Sequence, residues 1–465
     1  MMDPLIAVVG ATGTGKSKLA VDLASRFNGE IINGDAMQMY RGLPIITNQI
    51  PIEERNGIPH HLLSCVDLDA EPWHISRFKK EALRLIDDIR ARGKVPILVG
   101  GTHYYTQAVL FKDQLLGEGS DDKEVSQSTE FIPSTSEKWP ILDSPPDVLM
   151  EKLKEVDPVM AARWHPKDGR KIRRSLEIYF QTGRPASEIY AEQKLTKSQA
   201  VMEDESLFRF NNTLIFWVHA RKEVLDMRLD ARVDGMIEQG LMSEARTMWD
   251  YVKEKEAEGI CVDQTRGVWV SIGFKELAPY FGALQEAQMS DDELEALRKR
   301  CLQSIQTATH QYGKSQTKWI RNKLWHALSE AGLTQRLYLL DSSDVNKWEE
   351  CITTPSENIV QLFFRNETVP DPKSLSELAN TVLGAREEQG QSQAALESFT
   401  CDVCNKTVVG EEQWNIHLNG YTHKRTLKSQ AKRAERDAYF RKRELEAQQN
   451  TPSATDSCKK GTNED

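Results

Sequence analysis

Hydrophobic residues in the first part of the chain fall into short apolar runs separated by stretches with a helical period. The runs at residues 4–9, 30–35 and 94–101 (PLIAVV, EIINGD, KVPILVGG) predict buried strands. SKLAVDLASRF and FKKEALRLIDDIRARG instead repeat their apolar positions every 3.6 residues, as amphipathic helices do. Strands alternating with helices predict an α/β fold with a parallel sheet, to which residues 213–220 and 336–341 add two strand candidates.

The pattern then changes along the chain. Residues 117–145 are polar, acidic and interrupted by proline, which predicts a mobile insertion, whereas residues 147–205 are helical and basic in the middle. Helical periods return at 221–250 and 291–325 and weaken after about residue 345. We therefore predict these divisions: catalytic core 1–116, acidic insertion and helical subdomain 117–205, second part of the core 206–345, linker 346–398, small module 399–425, and basic helix with a disordered tail 426–465.

Charge is unevenly distributed over the 465 residues. The formal net charge is −10, but residues 163–184 carry a net +5 and residues 424–443 a net +7. Such basic faces suit a polyanion, and they equally suit solvated helix surfaces. Seven cysteines, two of them in one CxxC, do not resemble a disulfide framework and favour a reducing compartment. No apolar run reaches the roughly 18 residues of a membrane-spanning helix, so we expect no membrane association.

The most specific motif is the glycine-rich stretch between the first strand and the first helix. It fits GxxxxGK[ST], a P-loop whose backbone N–H groups cradle phosphate oxygens. The lysine supplies a positive charge, and the final hydroxyl, Ser17, can hold Mg²⁺. The predicted anion-binding residues are Gly10, Ala11, Thr12, Gly13, Thr14, Gly15, Lys16 and Ser17.

A nucleotide hydrolase also needs an acid at a neighbouring strand end. VPILVGGT ends without a carboxylate, and the acid in a suitable place is Asp35, after EIINGD. Asp35 is predicted to project beside the phosphates, because parallel strands end at the ligand crevice. It could then serve as a Mg²⁺ ligand, a general base or simply a helix N-cap.

Several motifs in one order resemble a known family over residues 4–325. GATGTGKS, GDAMQMYRGLPIITNQIP, PHHLLSCV, ILVGGTHYY, DGRKIRRSLEIYFQTGRP, RVDGMIEQGL and GVWVSIGFKE together resemble the tRNA dimethylallyltransferase (tRNA isopentenyltransferase) family. The resemblance implies a P-loop NTPase-like parallel sheet with an inserted helical tRNA-binding subdomain. It also implies that the P-loop grips dimethylallyl diphosphate, whose prenyl group passes to N6 of an adenosine next to the anticodon of tRNA.

The resemblance assigns roles to individual residues. Asp35 matches the catalytic aspartate that receives the N6 proton, and Thr102 matches a threonine near the reacting centre. Arg232 matches the arginine that grips the diphosphate, and Arg228 lies one turn earlier on the same helix face. By spacing alone, both arginines would be ordinary surface residues. The implied tRNA contacts are Asp35, Ala36, Met37, Gln38, Lys171, Ile172, Arg173, Arg174, Arg266 and Lys275.

Two departures from the family pattern bear on activity. Ala36 stands where the family usually has a serine, and His310 and Ser315 stand where arginines are expected. Fewer hydroxyls and cations could weaken binding of diphosphate or RNA. Trp269 could stack on a base or lie in the core. The His60–His61 pair has no second ligand pair nearby, which favours a structural role over a metal site.

The C-terminal module carries a metal-binding pattern. Cys401 and Cys404 form a CxxC pair. Twelve residues separate Cys404 from His417, and five separate His417 from His423. Two thiolates and two imidazoles at this spacing complete a tetrahedral Zn²⁺ site, and so short a module would scarcely fold without the metal. The spacing resembles the U1/matrin type of finger, as in eukaryotic members of the family. The basic run that follows could extend along RNA or act as a nuclear import signal.

The first hypothesis is therefore a monomeric tRNA prenyltransferase with Mg²⁺ at the diphosphate and Zn²⁺ in the finger, in the cytoplasm and also in the nucleus and mitochondrion. A small-molecule or nucleoside kinase is the second. An impaired, RNA-binding homologue is the third.

Overall fold

The computed structural model describes residues 3–112, 139–166, 168–192, 208–286, 289–393, 398–404, 406–409 and 411–449. Of the predicted mobile insertion at 117–145, residues 117–138 lie outside these residues, and Pro140–Asp143 form a 3₁₀ turn. The predicted disordered tail after residue 449 also lies outside them. The chain divides into two compact units, residues 1–383 and 384–465. None of the described helices combines the length and apolar character that a membrane span requires.

A parallel six-stranded sheet forms the centre of the first unit. Its strands lie in the order β3-β2-β4-β1-β5-β6. In chain order they are β1 Leu5–Gly10, β2 Gly29–Asn33, β3 His60–His61, β4 Val95–Val99, β5 Thr213–His219 and β6 Leu337–Asp341. All five strands predicted from apolar runs are confirmed, and β3 was missed. Buried parallel strands consist of nearly continuous apolar residues, which is why the runs were visible.

Some helices of the first unit cover the two faces of the sheet, and others form a separate subdomain. In chain order they are α1 Lys16–Arg26, α2 Ile75–Ala91, α3 His103–Leu110, α4 Pro146–Val156, α5 Pro158–Arg163, α6 Gly169–Thr182, α7 Lys222–Gln239, α8 Leu241–Ala257, α9 Phe274–Glu286, α10 Asp291–Trp319, α11 Trp325–Glu330, α12 Thr354–Phe364 and α13 Glu377–Gln393. Alternate β1 residues face opposite cores: Ala7 packs in the core with α2, α8 and α9, and Val8 in the core with α1 and α12.

The helical subdomain has a small hydrophobic core of its own. Helices α4, α5 and α6 bury Leu153, Met160 and Leu176 against one another. Two aspartates cap the helices, because Asp157 accepts a hydrogen bond from the backbone N–H of Met160 and Asp168 from that of Lys171. The described residues of the predicted helical stretch 147–205 are therefore mainly helical up to residue 192, and the rest of that stretch lies outside the described residues.

The predicted linker at 346–398 is wrong for most of its length. Residues 354–364 form α12, whose Ile359 and Val360 are buried against the sheet. A π-helical turn at Glu349–Thr353 leads into this helix without a break. Polar residues and Pro355 interrupt the apolar period that normally indicates a packed helix, so α12 was not predicted from the sequence.

The second unit contains a hairpin and two helices. Strands β7 Ser398–Cys401 and β8 Lys406–Val409 pair antiparallel, followed by α14 Glu411–Asn419 and α15 Tyr421–Gln449. Gly420 separates the helices, so the basic run belongs to a new helix that begins two residues before His423.

Candidate active site and RNA-binding cleft

The P-loop, residues 10–17, connects β1 to α1 at the carboxyl edge of the sheet. Gly15 has φ 95°, a left-handed conformation that glycine adopts without strain. A Cβ at this position would lie 2.5 Å from Cη2 of Trp348, so the loop also needs glycine for space. The Lys16 ammonium donates a 2.7 Å hydrogen bond to the Ala11 carbonyl, and the Thr14 hydroxyl donates to the same oxygen. The loop is thus shaped to present its amides at the start of a helix.

The charge of Lys16 is destabilised by its surroundings. Burial lowers the pKa of the Lys16 ammonium to about 8, and Arg232 lowers it further, whereas Asp35 opposes the shift. An anion bound at the loop would stabilise the ammonium form.

Asp35 follows β2 and is held by the last residue of that strand. The Asn33 side chain accepts from the Asp35 backbone N–H at 3.0 Å and donates to the Asp35 carbonyl at 3.0 Å. The Asp35 carboxylate accepts a hydrogen bond from the Met37 backbone N–H at 3.0 Å, but the N-cap of the 3₁₀ helix Met37–Met39 is Ala36 and not Asp35. Burial raises the pKa of Asp35, opposed by backbone hydrogen bonds and by Lys16. A carboxylate with a raised pKa is a stronger base than an ordinary aspartate.

Thr102 lies beside the turn that carries Asp35. Its hydroxyl accepts a 3.1 Å hydrogen bond from the backbone N–H of Ala36. A Cβ at the preceding residue, Gly101, would lie 3.1 Å from Oδ2 of Asp35. The ends of β2 and β4 thus bring Asp35 and Thr102 together.

The two predicted diphosphate arginines lie on one side of α7 but contact different segments. Arg232 donates a 2.6 Å hydrogen bond to the Thr12 hydroxyl in the P-loop. Arg228 donates to the Ser343 carbonyl at 3.1 Å, in the loop after β6. Arg232 is therefore at the P-loop itself, whereas Arg228 is tied to that neighbouring loop.

Three residues at the site were not found from the sequence. Gln316 accepts from the Thr12 backbone N–H at 2.8 Å and donates to the Gly101 carbonyl at 3.0 Å. The Tyr312 phenol lies near the side chains of Thr102 and Gln316, and burial raises its pKa. Trp348 covers the P-loop at Gly15 and comes from the predicted linker. The sequence signal that could have indicated two of them is the four-residue spacing of Tyr312 and Gln316, which places both side chains on one face of a helix.

His103 follows Thr102 and faces the protein interior. Its ring is 4% exposed and stacks on Trp319 at 5.3 Å between ring centroids. Burial lowers the pKa of the His103 imidazole to about 3, and the nearby Lys16 charge lowers it further. The imidazole therefore stays neutral in the physiological range.

A cavity of about 310 Å³ opens beside the aspartate turn, residues 34–37. We call it the arginine cleft, because α6 and the segment before residue 267 line it with guanidinium groups. Five of the residues predicted to contact tRNA line this cleft: Ala36, Met37, Arg173, Arg174 and Arg266. Single-stranded loops with splayed bases are the RNA elements that fit such a cleft.

The arginines differ in how strongly the protein already pairs them. Arg173 is 17% exposed and lies 3.0 Å from Asp143, 3.1 Å from Glu177 and 3.9 Å from Asp263. Arg174 is 41% exposed, and its guanidinium lies 3.2 Å from Glu177. Arg174 is accordingly the more accessible group for a phosphate.

Five predicted tRNA residues lie outside the cleft lining, and one of them is Asp35, whose neighbours Ala36 and Met37 line it. Ile172 is fully buried in the subdomain core, so an RNA contact through its side chain is wrong. Lys171 forms a 2.7 Å ion pair with Asp168, and Lys275 lies 3.6 Å from Glu276. The Gln38 amide donates to the Asn48 carbonyl.

The remaining alternatives are resolved by local contacts. Trp269 is 6% exposed and stacks on Tyr251, which confirms the core position. His60 and His61 form β3, and Nε2 of His61 lies 2.7 Å from the buried Glu30, which supports the structural role.

The two departures on α10 are exposed or paired within the protein. His310 lies 2.9 Å from Asp230 of α7, and the Ser315 hydroxyl donates to the Tyr312 carbonyl. Both contacts stay on the surface of α7 and α10.

The C-terminal unit gathers the four predicted zinc ligands. One donor atom from each of Cys401, Cys404, His417 and His423 lies within 4.8 Å of the others. Nδ1 of His423 is 3.4 Å from Sγ of Cys401 and 3.5 Å from Sγ of Cys404. A tetrahedral ion with Zn–S near 2.3 Å and Zn–N near 2.0 Å separates such donors by about 3.5 Å. The donor set therefore fits Zn²⁺, and Trp414 stacks on His417 beside it.

Comparisons with known proteins agree with this geometry. Residues 38–323 match the family described as IPP transferase, and residues 399–423 match the zinc finger of C2H2 type. The tRNA dimethylallyltransferase of Schizosaccharomyces pombe is 39% identical over 449 residues, spanning 94% of this chain and 98% of that relative. That of Homo sapiens is 34% identical over 436 residues, spanning 94% and 88%. A crystal structure of a eukaryotic dimethylallyltransferase acting on tRNA has a TM-score of 0.68 and 33% identity, covering 94% of this chain and 99% of that one.

Proposed function

The chain belongs to the IPP transferase family, and from that premise we propose that it is a tRNA dimethylallyltransferase. It transfers the dimethylallyl group of dimethylallyl diphosphate to N6 of the adenosine next to the anticodon and releases diphosphate. One observation carries this proposal: Asp35 lies within electrostatic reach of Lys16 in the P-loop, and the two residues that follow it, Ala36 and Met37, line the arginine cleft. A base, an anion site and an RNA-sized opening therefore meet at one edge of the sheet.

The reaction needs opposite charges on the two sides of the allylic carbon. N6 attacks that carbon while the bond from carbon to the diphosphate oxygen breaks, and the electron pair leaves with the diphosphate. Asp35 takes the proton from N6, and its raised pKa suits this step. Lys16, Arg232 and the P-loop amides stabilise the departing anion. Thr102 holds the aspartate turn through the Ala36 N–H.

We assign the Mg²⁺ of this reaction to the Ser17 hydroxyl and the diphosphate oxygens. Ser17 is the second residue of α1 and stands beside the anion-binding amides. Asp35 is the one acidic residue among the described residues that directly follow β1, β2 and β4. Its carboxylate already accepts a hydrogen bond from the Met37 backbone N–H. Bound Mg²⁺ would neutralise charge on the leaving group.

The arginine cleft would hold the anticodon loop. Phosphate contacts position RNA, and a base must leave its stack before N6 can reach a buried carbon electrophile. Arg174 and Arg266 supply the charges for the backbone, and Ala36 and Met37 line the path to Asp35.

Prenyl transfer with labelled dimethylallyl diphosphate separates this function from the kinase hypothesis. The purified chain, incubated with Mg²⁺, tRNA and labelled donor, is expected to place label on tRNA. The same chain with γ-labelled ATP and nucleosides is expected to transfer none. Label from ATP and none from the prenyl donor would overturn the proposal.

The binding-only hypothesis is tested in cells. Nucleosides from tRNA of cells lacking the protein are analysed by mass spectrometry, and isopentenyladenosine is expected to disappear. An unchanged level would leave only a role in RNA binding.

A further inference from the structure

Gln316 is a buried amide that connects two loops of the site. It lies on α10 and is 4% exposed. Its Oε1 accepts from the Thr12 N–H of the P-loop, and its Nε2 donates to the Gly101 carbonyl beyond β4. Since one partner is a donor and the other an acceptor, the Gln316 amide, which carries both an N–H donor and an oxygen acceptor, satisfies both.

The Gln316 amide packs closely against Gly101. A Cβ at Gly101 would lie 2.4 Å from Nε2 of Gln316 and 3.1 Å from Oδ2 of Asp35. Gly101 is therefore the point at which α10 and the Asp35 carboxylate approach the same strand end. Its φ is ordinary, so the requirement for glycine here is one of space.

A second side chain extends the connection to the aspartate turn. Tyr312, one helical turn before Gln316, places its phenol near the side chains of Gln316 and Thr102. The Thr102 hydroxyl accepts from the Ala36 N–H. Through Gly101 and the next residue, Thr102, hydrogen bonds thus connect the P-loop, one face of α10 and the residue after Asp35.

We propose that Gln316 is a positioning residue for prenyl transfer. It holds the P-loop and the aspartate turn at the separation at which an allylic carbon on one side meets N6 on the other. The inference rests on the proposed function, because that reaction has one substrate held by each loop. Misplacement by about 1 Å costs up to about 100-fold in rate even when binding survives.

A buried amide could instead serve stability alone, since a polar group without partners is costly inside a protein. The two roles differ in their kinetics. A stabilising residue lowers the folded fraction, whereas a positioning residue lowers the rate of the bound complex. The decisive quantity is therefore the single-turnover rate at saturating tRNA and dimethylallyl diphosphate.

Gln316→Glu is the sharpest variant. Its carboxylate still accepts from Thr12, but it faces the Gly101 carbonyl with no hydrogen to donate. Protonation restores the donor, so the rate relative to wild type is expected to rise as pH falls from about 8 to 6. Asp35 and burial would raise the pKa of the new carboxyl, and Lys16, Arg232 and the neutral Tyr312 phenol would lower it. Gln316→Met removes both hydrogen bonds at similar volume and carries no charge.

Gln303→Glu is the matched control, because Gln303 is an exposed residue of the same helix. We expect the single-turnover rate to fall about 10- to 100-fold in both Gln316 variants, with dissociation constants for tRNA and donor within about threefold of wild type. The control is expected to match wild type. Thermal unfolding of each variant reports the folded fraction.

Each remaining outcome counts against the inference. Saturated rates within about twofold of wild type in folded Gln316→Met would reduce Gln316 to a structural residue. If the ratio of the Gln316→Glu single-turnover rate to the wild-type rate does not change with pH, the hydrogen bond donated to the Gly101 carbonyl does not control the rate. Absence of label transfer by the wild-type chain would contradict the proposed function itself, and the inference with it.

Discussion

The Asp35 carboxylate and the Lys16 ammonium lie close enough for each to stabilise the charged form of the other. Burial works against both, raising the pKa of Asp35 and lowering that of Lys16 to about 8. The base and the anion site are therefore neighbours at the edge formed by β1, β2 and β4. A bound diphosphate would enter this arrangement on the Lys16 side, leaving Asp35 available to the amine.

Asp35 is expected to cost stability in the absence of substrate. Its raised pKa means that the folded chain binds the proton more tightly than the unfolded chain, so stability falls as pH rises above the unfolded pKa. Asp35→Asn is expected to raise the melting temperature, by more at about pH 8 than at about pH 5. Calorimetry across this range checks the sign, and a variant less stable than wild type at pH 8 would contradict it.

Diphosphate affinity is expected to fall as pH rises through the Lys16 titration. Below about pH 8 the ammonium is charged, and above it the loop loses its main cation. Titration calorimetry with inorganic diphosphate between about pH 6.5 and 9.5 measures the change. Lys16→Arg keeps its charge throughout, so its profile reports ligand ionisation alone. Parallel profiles for the two proteins would refute a role for Lys16 ionisation.

Arg174→Ala is expected to weaken tRNA binding more than it affects folding. Arg174 is accessible in the arginine cleft, so its loss should lower the slope of affinity against salt by about one ion. Arg246→Ala is the control, since Arg246 is a half-exposed helix arginine with one acid partner, Asp250. Filter binding at several salt concentrations distinguishes the two. Equal slopes would place the RNA elsewhere.

The sequence was informative wherever residues repeat a pattern. Five strands, the P-loop and the four zinc ligands all follow from runs or fixed spacings. β3 was missed because two histidines carry no apolar signal, and α12 because proline and polar residues obscure its period. Gln316 was missed for a different reason: one buried amide on a long polar helix looks like a surface residue until its partners, 304 and 215 residues away, are known.

Metal removal is expected to unfold the C-terminal unit while leaving the first unit folded. Cys401→Ser removes one of four ligands, and so small a module depends on Zn²⁺ for its fold. Zinc analysis should give about one ion per wild-type chain and little in the variant. Limited proteolysis should cut after about residue 383 in the variant. A wild-type chain purified without zinc, yet resistant to proteolysis there, would contradict this.

The central claim is that Asp35 receives the N6 proton opposite the diphosphate site. Single-turnover transfer of labelled dimethylallyl to tRNA by wild type, Asp35→Asn and Asp35→Ala tests it directly. We predict a loss of about 10²- to 10⁴-fold in both variants, with inorganic diphosphate still bound. A variant that binds both substrates and transfers label within about threefold of wild type would contradict the claim.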